Sequence, residues 1–318
     1  STVSKALRDS HEISEETKKK VKELANKLGY KPNPHAASLR NKKSQMIAVI
    51  IPEISNNFFA LAIDGIEEVV RQEGYQLLIY LSHESHQKEV EILEKMDGRV
   101  DGVLMCMATE TNEVSHIRSL KDKRIPLVFF DRVSEKISTV KVVTDDLESA
   151  YKATQHLMAK GAKKIAYLSL SLNISVDQHR MQGFLKAASE HSFSHQQKKI
   201  VTCGIDDEAN FNLIKNLLTG TDVPDAIFAC VERLAITAYL VCKDLGLVIG
   251  KDLRLITFSN LQAAPILDPP LTAVSQPAYE IGNQAAKVLV NALKKNQVDL
   301  QNERIVIPSI LIERESTL

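Results

Sequence analysis

The chain has 318 residues, 44% of them hydrophobic and 25% charged, and a formal net charge of zero. That length predicts two or three domains at about 100–200 residues each, and the composition excludes a mostly disordered, collagen-like or low-complexity chain. No tract approaches the roughly 18 unbroken apolar residues of a membrane span. The zero net charge is an average. Residues 1–45 carry eleven Lys/Arg against five Asp/Glu, a net +6 that leaves −6 on the remainder. A small basic module on a larger acidic body suggests a polyanionic partner for the module, most simply nucleic acid; the alternative is a basic tail with no partner. The four cysteines, Cys106, Cys203, Cys230 and Cys242, form no CxxC pair and have no metal-ligand spacing. They are expected to be reduced, mostly buried thiols. No signal-peptide pattern precedes the first charged residues, so the expected location is the cytoplasm.

Thr2-Val3-Ser4-Lys5-Ala6-Leu7 reads as a short helix with Val3, Ala6 and Leu7 on one face. Ser14-Glu15-Glu16-Thr17 opens a second helix, with Ser14 as N-cap and two acids in the first turn, where the helix dipole favours them. Val21, Leu24, Ala25 and Leu28 follow at helical spacing and Gly29 supplies the stop. Two short helices with a basic outer face are the back half of a helix-turn-helix and cannot form a domain alone. The chain starts without Met inside what should be the recognition helix, so the preceding helix is expected to be missing from it. In Tyr30-Lys31-Pro32-Asn33-Pro34-His35-Ala36-Ala37-Ser38-Leu39-Arg40, Asn33 can cap and Pro34 suits the first helical position. Only about seven residues follow, and isolated helices of even roughly 12–15 residues are marginal in water. This segment should order only against a partner; the bland alternative is an interdomain linker.

From residue 46 apolar runs alternate with amphipathic stretches. Met46 to Ile51, Leu77 to Leu81, Val103 to Met105 and Pro126 to Phe130 read as strands. Between them, Leu61, Ile66, Val69 and Val70, then Val90, Leu93 and Met96, keep a helical period. A second run repeats the rhythm at Ile165 to Leu170, Ile200 to Cys203, Ala226 to Cys230 and Leu253 to Phe258. Such alternation predicts parallel sheets covered on both faces, here as two similar α/β subdomains. Ligand pockets in open α/β sheets form outside the carboxyl ends of the strands. That rule gathers Phe58, Asp131, Arg132, Asp145, Val231 and Ser259 around one cleft, with Arg180 in reach on the helix after the 165–170 strand.

No GxxxxGK, GxGxxG, GxSxG or HExxH motif is present, and no nucleophile or acid/base set stands out, so an enzyme is not expected. His83 and His86 sit at i, i+3 and His191 and His195 at i, i+4, but no third ligand lies nearby at a telling spacing. They read as surface histidines, and neither a metal nor a cofactor is expected. Asp145-Asp146 is either an acidic pair with chemistry or a helix N-cap followed by a first-turn acid. The Asn173-Ile174-Ser175 sequon has no use in a cytoplasmic protein. The C-terminal residues carry no heptad pattern, which favours a dimer over a tetramer.

Thr2 to Leu7, Ile13 to Thr17, Leu28-Gly29-Tyr30-Lys31-Pro32-Asn33 and Ala36-Ala37-Ser38-Leu39-Arg40 closely resemble, without gaps, the DNA-binding segment of the LacI/GalR family of bacterial repressors. The resemblance continues through Ile47 to Pro52, Ser55-Asn56-Asn57-Phe58-Phe59, Arg99 to Val103, Arg180-Met181-Gln182-Gly183-Phe184, Leu267 to Thr272 and Gln276-Pro277, and so covers essentially the whole chain. It implies a partial helix-turn-helix and hinge at 1–45 and a periplasmic-binding-protein-like body of two doubly wound parallel-sheet subdomains, 46–145 with 277–305 and 146–276 with 306–318. The crossings are expected near Asp145, Ser275 and Val306. By resemblance Ser1 and Lys5 would read base edges, with Thr2 and Ser4 near phosphate or base. Leu39 would wedge into a central base step of the minor groove, with Asn33 and Ala36 alongside.

The same resemblance makes Arg180 the strongest ligand candidate, its fork suited to a hydroxyl, carboxylate or phosphate. Asp131 would accept hydroxyl hydrogens, Phe58 would stack on an apolar ligand face, and Gln276 would make a polar contact at the second crossing. It also implies a homodimer, a near-palindromic operator in double-stranded DNA, and a sugar-like effector. Two departures bear on the effector. Val231-Glu232 stands where relatives usually have Asn-Asp, and Thr257-Phe258-Ser259-Asn260 where they usually have Gly-Phe-Asp-Asp or Gly-Phe-Asp-Asn. The ligand is then less polyhydroxylated or anionic, or the pocket is weak, or a protein partner takes its place. For Val231 a core role is as good a reading as a ligand contact. The rival function is a free-standing solute-binding protein of the same fold.

Overall fold

The computed structural model describes residues 2–7, 9–30, 44–171, 173–191, 194 and 197–318, apart from the Ser4 side chain. The chain divides into two units, Ser1–Ser44 and Gln45–Leu318.

In the first unit α1 (Thr2–Leu7) and α2 (Glu15–Lys27) form where the sequence places them. The Ser14 hydroxyl accepts from Thr17 N, and Gly29 takes a positive φ of 62° after the helix. Ala6 and Ala25 are buried, whereas Val3, Leu24 and Leu28 stay exposed. Two helices of 6 and 13 residues cannot enclose their own apolar face. Asp9, in the turn between the helices, and Glu15 both pair with the Lys18 ammonium of α2, at 3.2 and 2.6 Å.

The second unit contains two six-stranded sheets. The first has the order β11-β5-β4-β3-β1-β2, built from β1 (Met46–Ile51), β2 (Gln76–Leu81), β3 (Gly102–Met105), β4 (Leu127–Phe130), β5 (Val140–Thr144) and β11 (Arg304–Ile307). The second has the order β12-β10-β9-β8-β6-β7, from β6 (Ile165–Ser169), β7 (Lys198–Thr202), β8 (Ala226–Ala229), β9 (Arg254–Phe258), β10 (Thr272–Ser275) and β12 (Ile310–Ile312). Every named strand pair is parallel except β10 with β12. Central strands are covered on both faces and read as continuous apolar runs, so β1, β3, β4, β6, β8 and β9 were legible. β5 is not a run of that kind. Its Lys141 is 1% exposed, and its amine donates to Ile137 O at 3.0 Å and Asn302 Oδ1 at 2.6 Å.

Seven helices connect the strands: α3 (Asn57–Gln72), α4 (His86–Glu94), α5 (Ser115–Asp122), α6 (Asp146–Ala159), α7 (Ser175–Glu190), α8 (Asp207–Thr219) and α9 (Glu232–Leu245). They are joined by α10 (Ala278–Lys294). α3 packs on α10 at Gly282, where a Cβ would lie 2.0 Å from Ala62 O. The chain leaves the first sheet after Thr144, returns after Ser275, and crosses again after β11. Ile307 pairs with Thr144, so the chain crosses for the third time after Ile307. No helix among the described residues is long and apolar enough to cross a membrane.

Candidate functional site

The carboxyl ends of the two sets of strands face a cleft inside the second unit. From the first sheet it is lined by Asn56, Phe58 and Phe59 at the start of α3 and by Asp131 and Arg132 after β4. From the second come Val176 and Arg180 on α7, Val231 and Glu232 at the start of α9, and Phe258, Ser259 and Asn260 at the end of β9. Gln276 closes it at the second crossing. Seven of the eight expected residues are therefore together: Phe58, Asp131, Arg132, Arg180, Val231, Ser259 and Gln276. Val231 lines the cleft and also packs on the core of its sheet. Asp145 lies elsewhere. Its Oδ1 accepts from Ser149 Oγ at 2.9 Å and from Ser309 N at 2.7 Å, which ties the first crossing to the third. Successive residues on a helix point about 100° apart, and it is Asp146 that turns toward Arg180.

Arg180 is 3% exposed. Its Nε donates to Asp146 Oδ1 at 2.7 Å, its Nη1 to Cys230 O at 2.7 Å, and its guanidinium lies 3.8 Å over the Phe258 ring. Burial opposes its charge, but Asp146 and Asp131 hold it firmly protonated. One turn earlier Asp177 anchors α7, accepting from Tyr167 Oη, Ser169 Oγ, Leu170 N and Ser171 N at 2.7–2.9 Å. Arg180 is thus fixed in place before any ligand arrives. Arg132 is fixed too, by two contacts of 2.8 and 2.9 Å from Nη1 to the Glu84 carboxylate. Burial works against the Glu84 charge, yet Arg132 and Thr109 keep its carboxyl below the usual range.

Asp131 differs from these satisfied groups. It is 6% exposed, takes a φ of 59°, and receives a thiol hydrogen bond from Cys106 at 3.6 Å while Arg132 Nε stands 3.9 Å away. Burial, offset in part by Arg132 and Arg180, pushes its carboxyl up to about 6. The folded state therefore holds this proton more tightly than the unfolded chain, where an aspartate titrates near roughly 3.9. Its contribution is most favourable at roughly pH 4 and below, declines as pH rises toward about 6, and stays low above that. Asp131→Asn, tolerated at positive φ, removes the titration. Urea denaturation across this window should show the wild type losing on the order of 2–3 kcal/mol relative to the variant. Parallel curves for the two proteins would contradict the assignment.

Two hydrogen bonds bridge the cleft. Asn57 Nδ2 donates to Glu232 Oε1 at 3.2 Å, and Val133 N donates to Ser175 Oγ at 3.2 Å. Ser259 Oγ donates to the other oxygen of Glu232 at 2.5 Å. The remaining space is about 40 Å³, whereas ligand pockets span roughly 300–1,000 Å³. Two buried side-chain atoms of lining residues, Gln276 Nε2 and Asn260 Oδ1, have no hydrogen-bond partner among the described residues. Asn260 Nδ2 is committed to Gln276 O at 2.7 Å. The cleft thus offers an idle donor, an idle acceptor and the weakly held carboxylate of Asp131.

Sequence reading missed Asn56, Phe59, Val176, Glu232, Phe258 and Asn260 as cleft residues. Glu232, Phe258 and Asn260 stood in the two departing motifs, which was the available signal. Of the expected DNA contacts, Thr2 and Lys5 lie on α1, and Lys5 is paired with Glu12. Ser1, Asn33, Ala36 and Leu39 lie outside the described residues, as does the Ser4 side chain. His83 and His191 are exposed, and His195 lies outside the described residues. His86 is not the surface residue expected: its Nδ1 is buried.

Residues 44–315 match the family described as periplasmic binding proteins and sugar binding domain of LacI family, and residues 1–33 match bacterial regulatory proteins, lacI family. The chain is 30% identical to catabolite control protein A of Priestia megaterium, over 99% of this chain and 95% of that one. It is 28% identical to the HTH-type transcriptional repressor CytR of Escherichia coli, over 93% and 87%. In fold it is similar to the lac repressor dimer bound to operator and an anti-inducer, with a TM-score of 0.83, 20% identity, and coverage of 100% of this chain and 94% of that one.

Proposed function

The chain belongs to the LacI family of bacterial regulatory proteins, and from that premise we propose that it is a repressor whose affinity for operator DNA is set by a small molecule held in the cleft. The effector proposed is a sugar or sugar derivative. The observation that carries this is the idle amide pair: Gln276 Nε2 and Asn260 Oδ1 are buried without a partner among the described residues, on side chains that line the same cleft as Asp131. Buried polar atoms are seldom left so. A vicinal pair of hydroxyls both accepts and donates, and so suits one donor and two acceptors. The departing residues fit this chemistry, because Glu232 is already engaged with Asn57 and Ser259.

A sugar cannot enter about 40 Å³, so binding must begin with opening of the Asn57–Glu232 and Val133–Ser175 bridges. The ties at the crossings, Asp145 to Ser309 and Asn260 to Gln276, would serve as the pivot. A change in the angle between the two sheets would be passed to the segment around Leu39 and so to the DNA. Couplings of this kind are typically about 1–3 kcal/mol and act reciprocally on effector and operator. The related lac repressor structure is a dimer on operator; a homodimer on a near-palindromic operator, acting in the cytoplasm, is the arrangement proposed here. A free-standing solute-binding protein would have no use for residues that match a DNA-binding family.

The test is a thermal-shift screen against sugars, sugar phosphates, sugar acids and nucleobases, repeated on Gln276→Leu. At about 100 times its dissociation constant a ligand stabilises the folded state by about 2.7 kcal/mol. A shift lost in the variant supports the reading. No shift with any class would overturn the small-molecule effector in favour of a protein co-effector. For the DNA side, Leu39→Ala, assayed by fluorescence anisotropy on operator, should weaken binding about tenfold or more and leave effector affinity unchanged. Equal operator affinity would remove Leu39 as the wedge.

A further inference from the structure

Away from the cleft, His86 opens α4, Glu89 follows one turn later on the same face, and His116 lies in the first turn of α5. One ligand atom from each of the three falls within 4.8 Å of the others. The imidazoles meet edge to face, 4.7 Å between centroids. Glu89 is fully buried and the His116 side chain is 5% exposed, with His116 Nε2 3.1 Å from Glu89 Oε2. Glu89 also accepts from Ala108 N at 2.6 Å and Thr111 Oγ1 at 2.7 Å. Nδ1 of His86 and Nδ1 of His116 are both buried without a hydrogen-bond partner among the described residues.

We propose that His86, Glu89 and His116 bind a divalent transition-metal ion of the zinc class. Three properties of the cluster point there. Two imidazoles and a carboxylate are borderline donors that suit Zn²⁺, Co²⁺, Ni²⁺ or Cu²⁺ rather than Mg²⁺ or Ca²⁺. A buried carboxylate needs a compensating charge, and among the described residues no Lys or Arg forms an ion pair with Glu89. In the tautomer that carries its proton on Nε2, each ring presents at Nδ1 a lone pair that no described residue uses. Donors bound at about 2.1 Å can be no more than about 4.2 Å apart, so convergence by less than an ångström completes the site. Three protein ligands leave a fourth position for water.

The proposal does not depend on the effector reading, but the two sites share a loop. Thr109 donates from N at 2.8 Å and from Oγ1 at 2.6 Å to Glu84, the carboxylate that holds Arg132 in the cleft. The neighbouring Ala108 N and Thr111 Oγ1 hold Glu89.

The test uses untagged protein titrated with CoCl₂ and read by equilibrium dialysis and visible absorption. The result expected is one Co²⁺ per chain with ligand-field bands of a nitrogen–oxygen site. Affinity should fall by more than the roughly 10–100-fold that outer-shell changes cost in both His86→Ala and His116→Ala. His83→Ala, an exposed neighbour, should bind as the wild type does. His86 is only half-buried, so its variant keeps the test valid if His116→Ala fails to fold. Absence of saturable binding to the wild type, or affinity unchanged in His86→Ala, would overturn the proposal.

Discussion

Arg180→Met should abolish the response to any ligand the wild type binds and lower the stability of the effector-binding body by about 3–5 kcal/mol. The second effect follows from the ion pair. Arg180 and Asp146 are each 3% exposed and 2.7 Å apart, and removing one partner leaves an uncompensated buried charge. Asp146 would keep its hydrogen bond from Thr144 Oγ1 at 2.8 Å, which cannot replace a guanidinium. The two effects separate in the double variant Arg180→Met/Asp146→Asn. Urea denaturation should show much of the stability restored, because the stranded charge is gone. Ligand binding should not return, because the fork over Phe258 is still missing. Unchanged stability and ligand affinity in Arg180→Met would show that this arginine neither supports nor lines the site.

Gly183→Ala should destabilise the protein by about 1–3 kcal/mol, the cost of overpacking, and weaken the ligand response as well. A Cβ at Gly183 would lie 2.2 Å from Leu147 O and 2.9 Å from both Tyr151 N and the Ala150 Cβ. Backbone on the facing helix cannot step aside, so α6 and α7 must separate. α6 carries Asp146 and α7 carries Arg180, so a shift in this packing is passed directly to the ion pair. Gly204→Ala is the control: nothing lies within 4 Å of its added Cβ, and a change within about 0.5 kcal/mol is expected. Equal melting curves for Gly183→Ala and the wild type would mean that the helix contact is looser than its geometry implies.

Much of this architecture could be read before any coordinates. Parallel strands buried on both faces write themselves as unbroken apolar runs, as in Met46 to Ile51, and the motif around Arg180 linked the body to a known family. What was lost has specific causes. β5 was hidden by Lys141, whose buried amine finds its partners at residues 135, 137, 139 and 302 once the fold is made. β12 is a three-residue edge strand whose Ile310 and Ile312 are exposed. In Asp145-Asp146 the residue types were right but the facing was not, because neighbours at a helix start point in different directions. His86 looked like half of an i, i+3 pair with His83. Its partners are Glu89 and, thirty residues on, His116, and spacing along the chain carries no information about the second of these.

The carboxylate of Glu232 reaches across from the second sheet to Asn57 while holding Ser259, so the protein's own side chains tie the two walls of the cleft together. Under the proposed function, an effector competes with the protein's own side chain rather than acting as the adhesive that draws the halves together. Its measured dissociation constant is the intrinsic one divided by the fraction of molecules in which the bridge is broken. Weakening that bridge, by Asn57→Ala for instance, makes the same regulator respond to lower concentrations of the same molecule, without altering a single contact to it.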